Sequence, residues 1–243
     1  MCEQTYGLIG KSLSHSFSKD YFTEKFASLN LPHKYLNFEL DSIHDLKDLV
    51  KTKKKLRGLN VTLPFKESVI PYLDEIDPIA AEIGAVNTIL ITDGKLKGFN
   101  TDTFGFKQLI KPFFKGHHER ALILGSGGAS KAVKHVLDEL GVESIIISRN
   151  PDKTQLNYKL LNKHILNAYL LIINTTPLGM YPTVNAYPDI PYELLTERHL
   201  LIDLIYNPSK TVFMKKGITQ NATVINGKTM LQQQAEKSWS IWQ

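Results

Sequence analysis

In "ALILGSGGASKAV", Ala121 to Val133, glycines at 125, 127 and 128 stand between an apolar run and a helix-forming one. The first glycine permits a tight turn and the second lets a pyrophosphate approach the backbone. The start of the helix then offers unpaired N–H groups to the anion. Gly125, Ser126, Gly127, Gly128 and Ala129 are therefore candidate cofactor ligands. The third position of a G-x-G-x-x-G fingerprint falls on Ser130, which is small but not glycine. After the next apolar run, "ESIIIS", an NAD site would place a carboxylate for the ribose 2′-hydroxyl. This chain has "SRNPDK" instead, where Arg149 and Lys153 bring positive charge and Ser148 and Asn150 bring neutral hydrogen-bonding groups. A guanidinium matches a phosphate through paired donors, so these residues point to NADP. The nearby acid, Asp152, reads as a first-turn helix residue. In "GLNVTLPFKES", Gly58 to Ser68, Leu59, Val61 and Leu63 alternate with Asn60 and Thr62 as in a half-buried strand, which Pro64 stops. Lys66 follows that stop. From these residues alone it reads most simply as a surface lysine at a helix start.

The elements that must position these groups alternate along the chain. "TYGLIG", "HKYLNFEL" and "LRGLNVTLP" read as strands. "SFSKDYFTEKFASLN" reads as a helix with Phe17, Tyr21, Phe22, Phe26 and Leu29 on one face, and "DSIHDLKDLVK" as a helix opened by an Asp or Ser cap. "DPIAAEIG" is a short helix with Pro at its first position and Gly just past its end. "VNTILIT" and "KLKGFN" form a hairpin about Asp93-Gly94, and "TDTFGFKQLI" starts a helix. From Arg120 onward, "RALILG", "ESIIIS", "AYLLIIN", "LLIDLIY" and "ATVI" are strands. "GASKAVKHVLDEL", "PDKTQLNYKLL" and the closing "NGKTMLQQQAEKSWSIW" are helices. The near-continuous apolar strands suit a sheet buried on both faces. The pattern predicts an α/β protein of two domains with parallel sheets.

At 243 residues, 42% hydrophobic and 22% charged, the chain is long enough for such a core. A net charge of +5 is mild and suits an anionic small substrate and a phosphorylated cofactor. The basic run "KTKKKLR" lacks interleaved aromatics and reads as a solvated helix end, so no nucleic-acid partner is expected. The single cysteine, Cys2, excludes an internal disulfide and suits an intracellular protein. His117 and His118 sit in a polar turn and read as exposed, and no histidine spacing suggests a metal. The first strand begins almost at once, so no signal peptide is expected. The longest apolar run, Ala168 to Ile173, is too short to span a bilayer. A cytoplasmic protein without membrane association is expected.

The strings "HSFS" (15–18), "NVTLPFK" (60–66), "GAVNT" (84–88), "NTD" (100–102), "GSGGAS" (125–130), "NTTPLGM" (174–180) and "NGKTMLQQQA" (226–235) occur in this order. Together they make the chain resemble the shikimate dehydrogenase family over essentially its whole length. The resemblance implies reversible, NADP-dependent reduction of 3-dehydroshikimate to shikimate, a step toward chorismate and the aromatic amino acids. It also implies an N-terminal substrate-binding domain, 1–102 with the returning helix 226–243, and a Rossmann-like NADP-binding domain, 103–225, with the active site in the cleft between them. A monomer or a homodimer would suit it.

Carried over by motif, Lys66 matches the family's catalytic lysine and Asp102 its carboxylate partner. An ammonium beside a ring carbonyl stabilises developing negative charge and relays the proton, while a carboxylate orients it. Ser16 and Ser18 match ligands of the substrate carboxylate and can also cap the first helix. Thr62, Asn87 and Gln234 match partners of the ring hydroxyls, and Tyr206 matches a tyrosine at the cleft edge, with a core aromatic as the alternative. Thr176, Leu204 and Gly227 match positions near the nicotinamide, and Met180 either lines that pocket or packs. The chain departs from the family at Lys228 and Thr229, where an apolar residue and a glycine are usual. Ser148 and Asn150 replace Asn and Thr, and the segment from Arg149 to Asn174 is short. The rivals are a quinate/shikimate dehydrogenase of broader substrate or cofactor use and a non-catalytic dinucleotide-sensing protein.

Overall fold

The computed structural model of the chain describes residues 2–13 and 16–243, so His15 of the "HSFS" string lies outside it. The chain divides into two compact units, Met1–Thr101 with Ala235–Gln243, and Asp102–Gln234. The first unit holds β1 (Thr5–Gly10), α1 (Phe17–Ser28), β2 (Lys34–Glu39), α2 (Leu46–Thr52), β3 (Leu56–Val61), α3 (Phe65–Ser68), β4 (Glu75–Ile76), α4 (Pro78–Ile83), β5 (Thr88–Thr92) and β6 (Lys95–Phe99). Its sheet runs β2-β1-β3-β5-β6-β4. It is mixed, because β1 pairs in parallel with β2 and β3 whereas β5 and β6 form the antiparallel hairpin. Asp93 and Gly94 both take left-handed φ, 51° and 78°, as an Asp-Gly hairpin turn requires.

Local chemistry sets the helix ends. The Ser16 hydroxyl accepts from the Lys19 N–H at the start of α1, and Ser42 and Asp45 make a reciprocal capping box ahead of α2. The Asp77 carboxylate caps α4, which ends at Gly84 with φ of 68°. Each sheet face is covered. Ile9, Leu59, Val61, Ile89 and Leu96 pack with Leu46, Phe65, Val69 and Ala80 on one side. Tyr6, Leu8 and Tyr35 pack with Phe22 and Phe26 of α1 and with Ala235, Trp239 and Trp242 on the other.

The second unit holds α5 (Asp102–Ile110), β7 (Arg120–Leu124), α6 (Gly128–Glu139), β8 (Glu143–Ser148), β9 (Gln155–Asn157), α7 (Lys163–Ala168), β10 (Leu171–Asn174), β11 (Leu200–Asp203), α8 (Val212–Thr219), β12 (Thr223–Asn226) and the first half of α9 (Lys228–Trp242). Its sheet is β12-β11-β10-β7-β8-β9, parallel throughout. Numbered within the unit, that order is 6-5-4-1-2-3, the doubly wound arrangement whose switch point lies between β7 and β10. Alternate residues of the central strands enter opposite cores. Ala121, Ile123, Leu171, Ile173, Leu200 and Ile202 meet α5 and α6, while Leu122, Leu124, Ile172 and Leu201 meet Leu166 of α7 and Phe213 and Met214 of α8.

The structure corrects several expectations. The unit boundary falls inside α9 rather than before it, because Met230 is buried in the second unit's core and Ala235, Trp239 and Trp242 in the first's. Asp102 likewise groups with the second unit. β3 is buried on both faces, with Asn60 4% exposed between Leu59 and Val61, and Leu63 projects beyond it at 59%. Leu29 is the C-cap of α1 and lies off the buried face. The α-helix expected over 151–161 is absent, and only one 3-10 turn, Tyr158–Leu160, forms there. The Asp152 carboxylate accepts from Thr154 N–H and Oγ1–H (2.7 Å each) and from Gln155 Nε2 (2.7 Å), turning the chain straight into β9. The structure adds helix α8, capped by Thr211, to the elements expected from the sequence. His118 is buried rather than exposed, since its Nδ1 accepts from Lys115 N–H at 3.1 Å beside the Phe114 ring.

Candidate functional site

In the first unit the candidate substrate ligands collect where β1 and β3 end and β5 begins. Thr62 follows β3 and its N–H donates to Ile9 O at 3.0 Å. The short turn α3 carries Lys66, whose carbonyl accepts from Val86 N–H at 2.7 Å, and Asn87 O accepts from Val61 N–H at 2.8 Å. Lys66 is half-buried in the first turn of a one-turn helix. Asn87 is held by Thr101, which donates its N–H to Asn87 Oδ1 (2.7 Å) and accepts at Oγ1 from Nδ2 (3.0 Å). Because Oδ1 meets an obligate backbone donor, the amide cannot reverse. Asp102 is the next residue in the chain after Thr101, and it is 5% exposed at the first position of α5.

Behind these ligands lies a buried polar network. Ser18 hydrogen-bonds Tyr35, and the Tyr35 hydroxyl donates to Asn60 Oδ1 at 2.7 Å. Asn60 Nδ2 donates to Ser238 Oγ at 2.9 Å. Ser238 lies 2.8 Å from Thr88 Oγ1 and 3.2 Å from Thr101 Oγ1. Burial pushes the Tyr35 hydroxyl pKa up, with the Ser18 bond opposing it, so Tyr35 stays neutral. Outside it, Glu236 accepts from Lys25 Nζ at 2.7 Å and from the Tyr21 hydroxyl, tying α1 to the last turns of α9.

In the second unit the candidate cofactor ligands lie at the carboxyl edge of the parallel sheet. Gly125 has φ of 106°, and a Cβ there would meet Thr175 Oγ1 and Thr176 Cγ2 at 2.9 Å, so glycine is required on both counts. Gly127 faces open space, and no side chain caps α6, so its first-turn N–H groups can face an anion. Ser130 Oγ donates to Gly127 O at 2.6 Å, filling the third fingerprint position without glycine. Ser126 is exposed and Gly128 and Ala129 begin α6. Beyond β8, Ser148 is buried and accepts from Asn150 N–H, while Arg149, Asn150 and Lys153 are exposed. Asp152 is committed to its own turn.

Around β10 to β12, Thr176 donates N–H (3.0 Å) and Oγ1–H (2.6 Å) to Asn174 Oδ1. Leu204 N–H donates to Asn174 O at 3.0 Å. Gly227 lies so close to Leu204 that a Cβ would come within 2.0 Å of its carbonyl oxygen. The structure thus brings Thr176, Leu204 and Gly227 to adjoining strand ends. Tyr206 is half-buried, and Met180 is exposed at 40%. Gln234 is buried and donates to Leu231 O. A Cβ on Gly105 would meet Met230 O at 2.5 Å and Gln234 Cβ at 3.1 Å, so α5, which Asp102 begins, packs tightly on the first half of α9. Among the described residues no cluster could hold a metal ion, and no helix is long and apolar enough to cross a membrane. The partners missed in the sequence are Tyr35, Asn60, Ser238, Asn174 and Asp203.

The family described as the shikimate dehydrogenase substrate binding domain matches residues 8–89. A NADP-dependent shikimate dehydrogenase from Methanosphaera stadtmanae is 36% identical over 97% of this chain and 90% of its own. The chain belongs to the shikimate dehydrogenase family. The crystal structure of shikimate dehydrogenase 1 from Peptoclostridium difficile has a TM-score of 0.88 at 39% identity, covering 98% of this chain and 91% of its own. Shikimate 5-dehydrogenase from Thermus thermophilus, solved with NADP(H) and shikimate, has a TM-score of 0.87 at 31% identity, covering 98% of this chain and 93% of its own.

Within this family member, the departures at Lys228 and Thr229 fall on exposed positions, while Ser148 is buried. Lys228 and Thr229 occupy the exposed first turn of α9, and Gly227 keeps its bond to Ile205 O at 3.1 Å. The short segment after Arg149 reaches β9 without an intervening α-helix, pairs it with β8 from Ile146 to Ser148, and then supplies α7 before β10.

Proposed function

We propose that this chain is a NADP-dependent shikimate dehydrogenase of the cytoplasm, acting as a monomer or a homodimer on shikimate and 3-dehydroshikimate. The carrying observation is the full-length kinship, with all its motif strings present. In this reading Met1–Thr101 with the end of α9 binds substrate and the second unit binds NADP. Gly125 to Ala129 and the start of α6 receive the pyrophosphate, Arg149 and Lys153 the 2′-phosphate, and Thr176, Leu204 and Gly227 border the nicotinamide. The preference for NADP rests on two exposed cations beyond β8 with the one nearby acid, Asp152, turned into its own loop.

Bound NADPH supplies the hydride to the ring carbonyl carbon. The chain supplies the rest: Lys66 stabilises the negative charge growing on the carbonyl oxygen and gives it a proton, and Asp102 orients Lys66. Ser16 and Ser18 bind the substrate carboxylate, and Thr62, Asn87, Tyr206 and Gln234 bind the ring. Fixed donors such as the Asn87 amide reject analogues lacking the matching hydroxyl. The test is NADPH formation from shikimate and NADP, run beside quinate and NAD. Turnover with shikimate and NADP well above the other pairs is expected. Equal use of quinate would favour the broader-specificity reading, and no turnover the dinucleotide-sensing one.

A further inference from the structure

Asn174 and Asp203 are register partners at the carboxyl ends of β10 and β11. Both are fully buried, and their side chains join by Asn174 Nδ2–H to Asp203 Oδ1 at 3.0 Å. Asp203 Oδ1 also accepts from Ile205 N–H at 3.1 Å, and Oδ2 accepts from Thr211 Oγ1–H at 2.5 Å. Thr211 in turn accepts from Met214 N–H as the cap of α8. Asn174 turns Oδ1 to Thr176, whose N–H is an obligate donor, so this amide also cannot reverse. One carboxylate therefore fixes the chain after β11 directly and the chain after β10 through Asn174. Leu204, between Asp203 and Ile205, is the residue whose backbone touches Gly227. An ionised group in an apolar sheet is costly unless donors surround it, and here three donors do: the Ile205 N–H next to Leu204, the Asn174 amide that also holds Thr176, and the Thr211 hydroxyl.

We infer that Asp203 is a positioning residue for hydride transfer, its carboxylate setting how Thr176 and Leu204 meet the nicotinamide. This rests on the proposed cofactor site. Asp203 touches neither substrate nor cofactor in this reading. It acts through Asn174 and the Ile205 N–H. Asp203→Asn keeps the shape but sets an N–H against Thr211 Oγ1, which then loses the acceptor for its own proton. Thr211→Val removes the donor to Oδ2, and Thr211→Ser retains it.

The experiment measures kcat, the shikimate KM, the affinity for 2′,5′-ADP as a probe of the Arg149 end, and the isotope effect with NADPH deuterated at the transferred position. Displacement of reacting atoms by a fraction of an ångström is enough for a roughly tenfold loss of kcat in Asp203→Asn and Thr211→Val. That loss should come with a larger isotope effect, with the shikimate KM and 2′,5′-ADP affinity within about twofold of the parent, and with near-parental kcat in Thr211→Ser. A folded Asp203→Asn with kcat within twofold of the parent overturns the inference, as does a kcat loss matched by equal loss of 2′,5′-ADP affinity. If Asp203→Asn does not fold, the Thr211→Val result decides by the same criteria. Absence of turnover in the parent enzyme would instead sink the proposed function.

Discussion

At the scale of single residues, chemistry is assigned to side chains whose surroundings differ sharply. Lys66 sits on a one-turn helix anchored through its backbone to Val86, so replacing its side chain leaves that anchor in place. Lys66→Ala is expected to lower kcat by about two orders of magnitude or more, with the shikimate KM changed by less than about threefold, because proton delivery acts in the transition state. Steady-state kinetics with both substrates checks this, and near-normal turnover would remove Lys66 from the mechanism. Arg149 is exposed and its carbonyl is held by Asn157 Nδ2 at 3.0 Å, so the loop does not depend on the guanidinium. Arg149→Ala should raise the KM for NADP about tenfold and leave that for NAD nearly unchanged, since a phosphate contact carries roughly 1.5 kcal/mol in such an exposed place. A parallel rise for both cofactors would contradict the 2′-phosphate assignment.

At the scale of elements, close backbone approach and one large side chain make the sharpest predictions. Gly227→Ala would drive a methyl into the Leu204 carbonyl and should lower stability by about 1–3 kcal/mol, read from the urea midpoint. Trp242, 4% exposed, stacks on Tyr6 with centroids 5.1 Å apart and donates to Ile89 O at 3.0 Å. Trp242→Ala should therefore cost about 3–5 kcal/mol, with hydrogen exchange accelerating in β1 and α1 before β7 and β10. Equal acceleration in all four would show that the two sheets lose protection together. The order of strands and helices was legible because apolar runs, capping residues and Gly or Pro punctuation agree along most of the chain. It failed over 151–161, where a proline followed by acid and base imitates a helix start but Asp152 prefers its own turn. The site was legible as motif strings, each ending a strand or opening a helix. Its buried supports were not, because Asn60, Asn174 and Asp203 interrupt or end apolar strands and read as ordinary strand residues. Two polar residues ending neighbouring apolar strands, as in "LLIIN" and "LLID", were the signal available for the Asn174–Asp203 pair.

At the scale of the whole molecule, two buried groups of the second unit give stability opposite dependences on pH. Burial pushes the Asp203 carboxyl up to about 6 against its three hydrogen-bond donors. The folded state therefore holds a proton that the unfolded chain has released between pH 3.8 and about 6, and stability falls as pH rises through that window, by about 3 kcal/mol in total. His118 runs the other way: burial, then His117 and Lys115, bring it down to about 4. Its contribution is present above its unfolded value and disappears as pH falls from about 6.5 to about 4. Asp203→Asn should flatten the first dependence, and His118→Gln the second, in urea titrations across pH 4 to 7. Unchanged slopes would assign the dependence to other groups. The division of α9 has a consequence for synthesis as well. Ala235, Trp239 and Trp242 complete the aromatic face formed by Tyr6, Phe22, Phe26 and Tyr35, yet the ribosome makes them after all of 102–234. A nascent chain halted at Gln234 can finish its later-made sheet while its earlier-made one, covered on that face by α1 alone, still waits for the tryptophans.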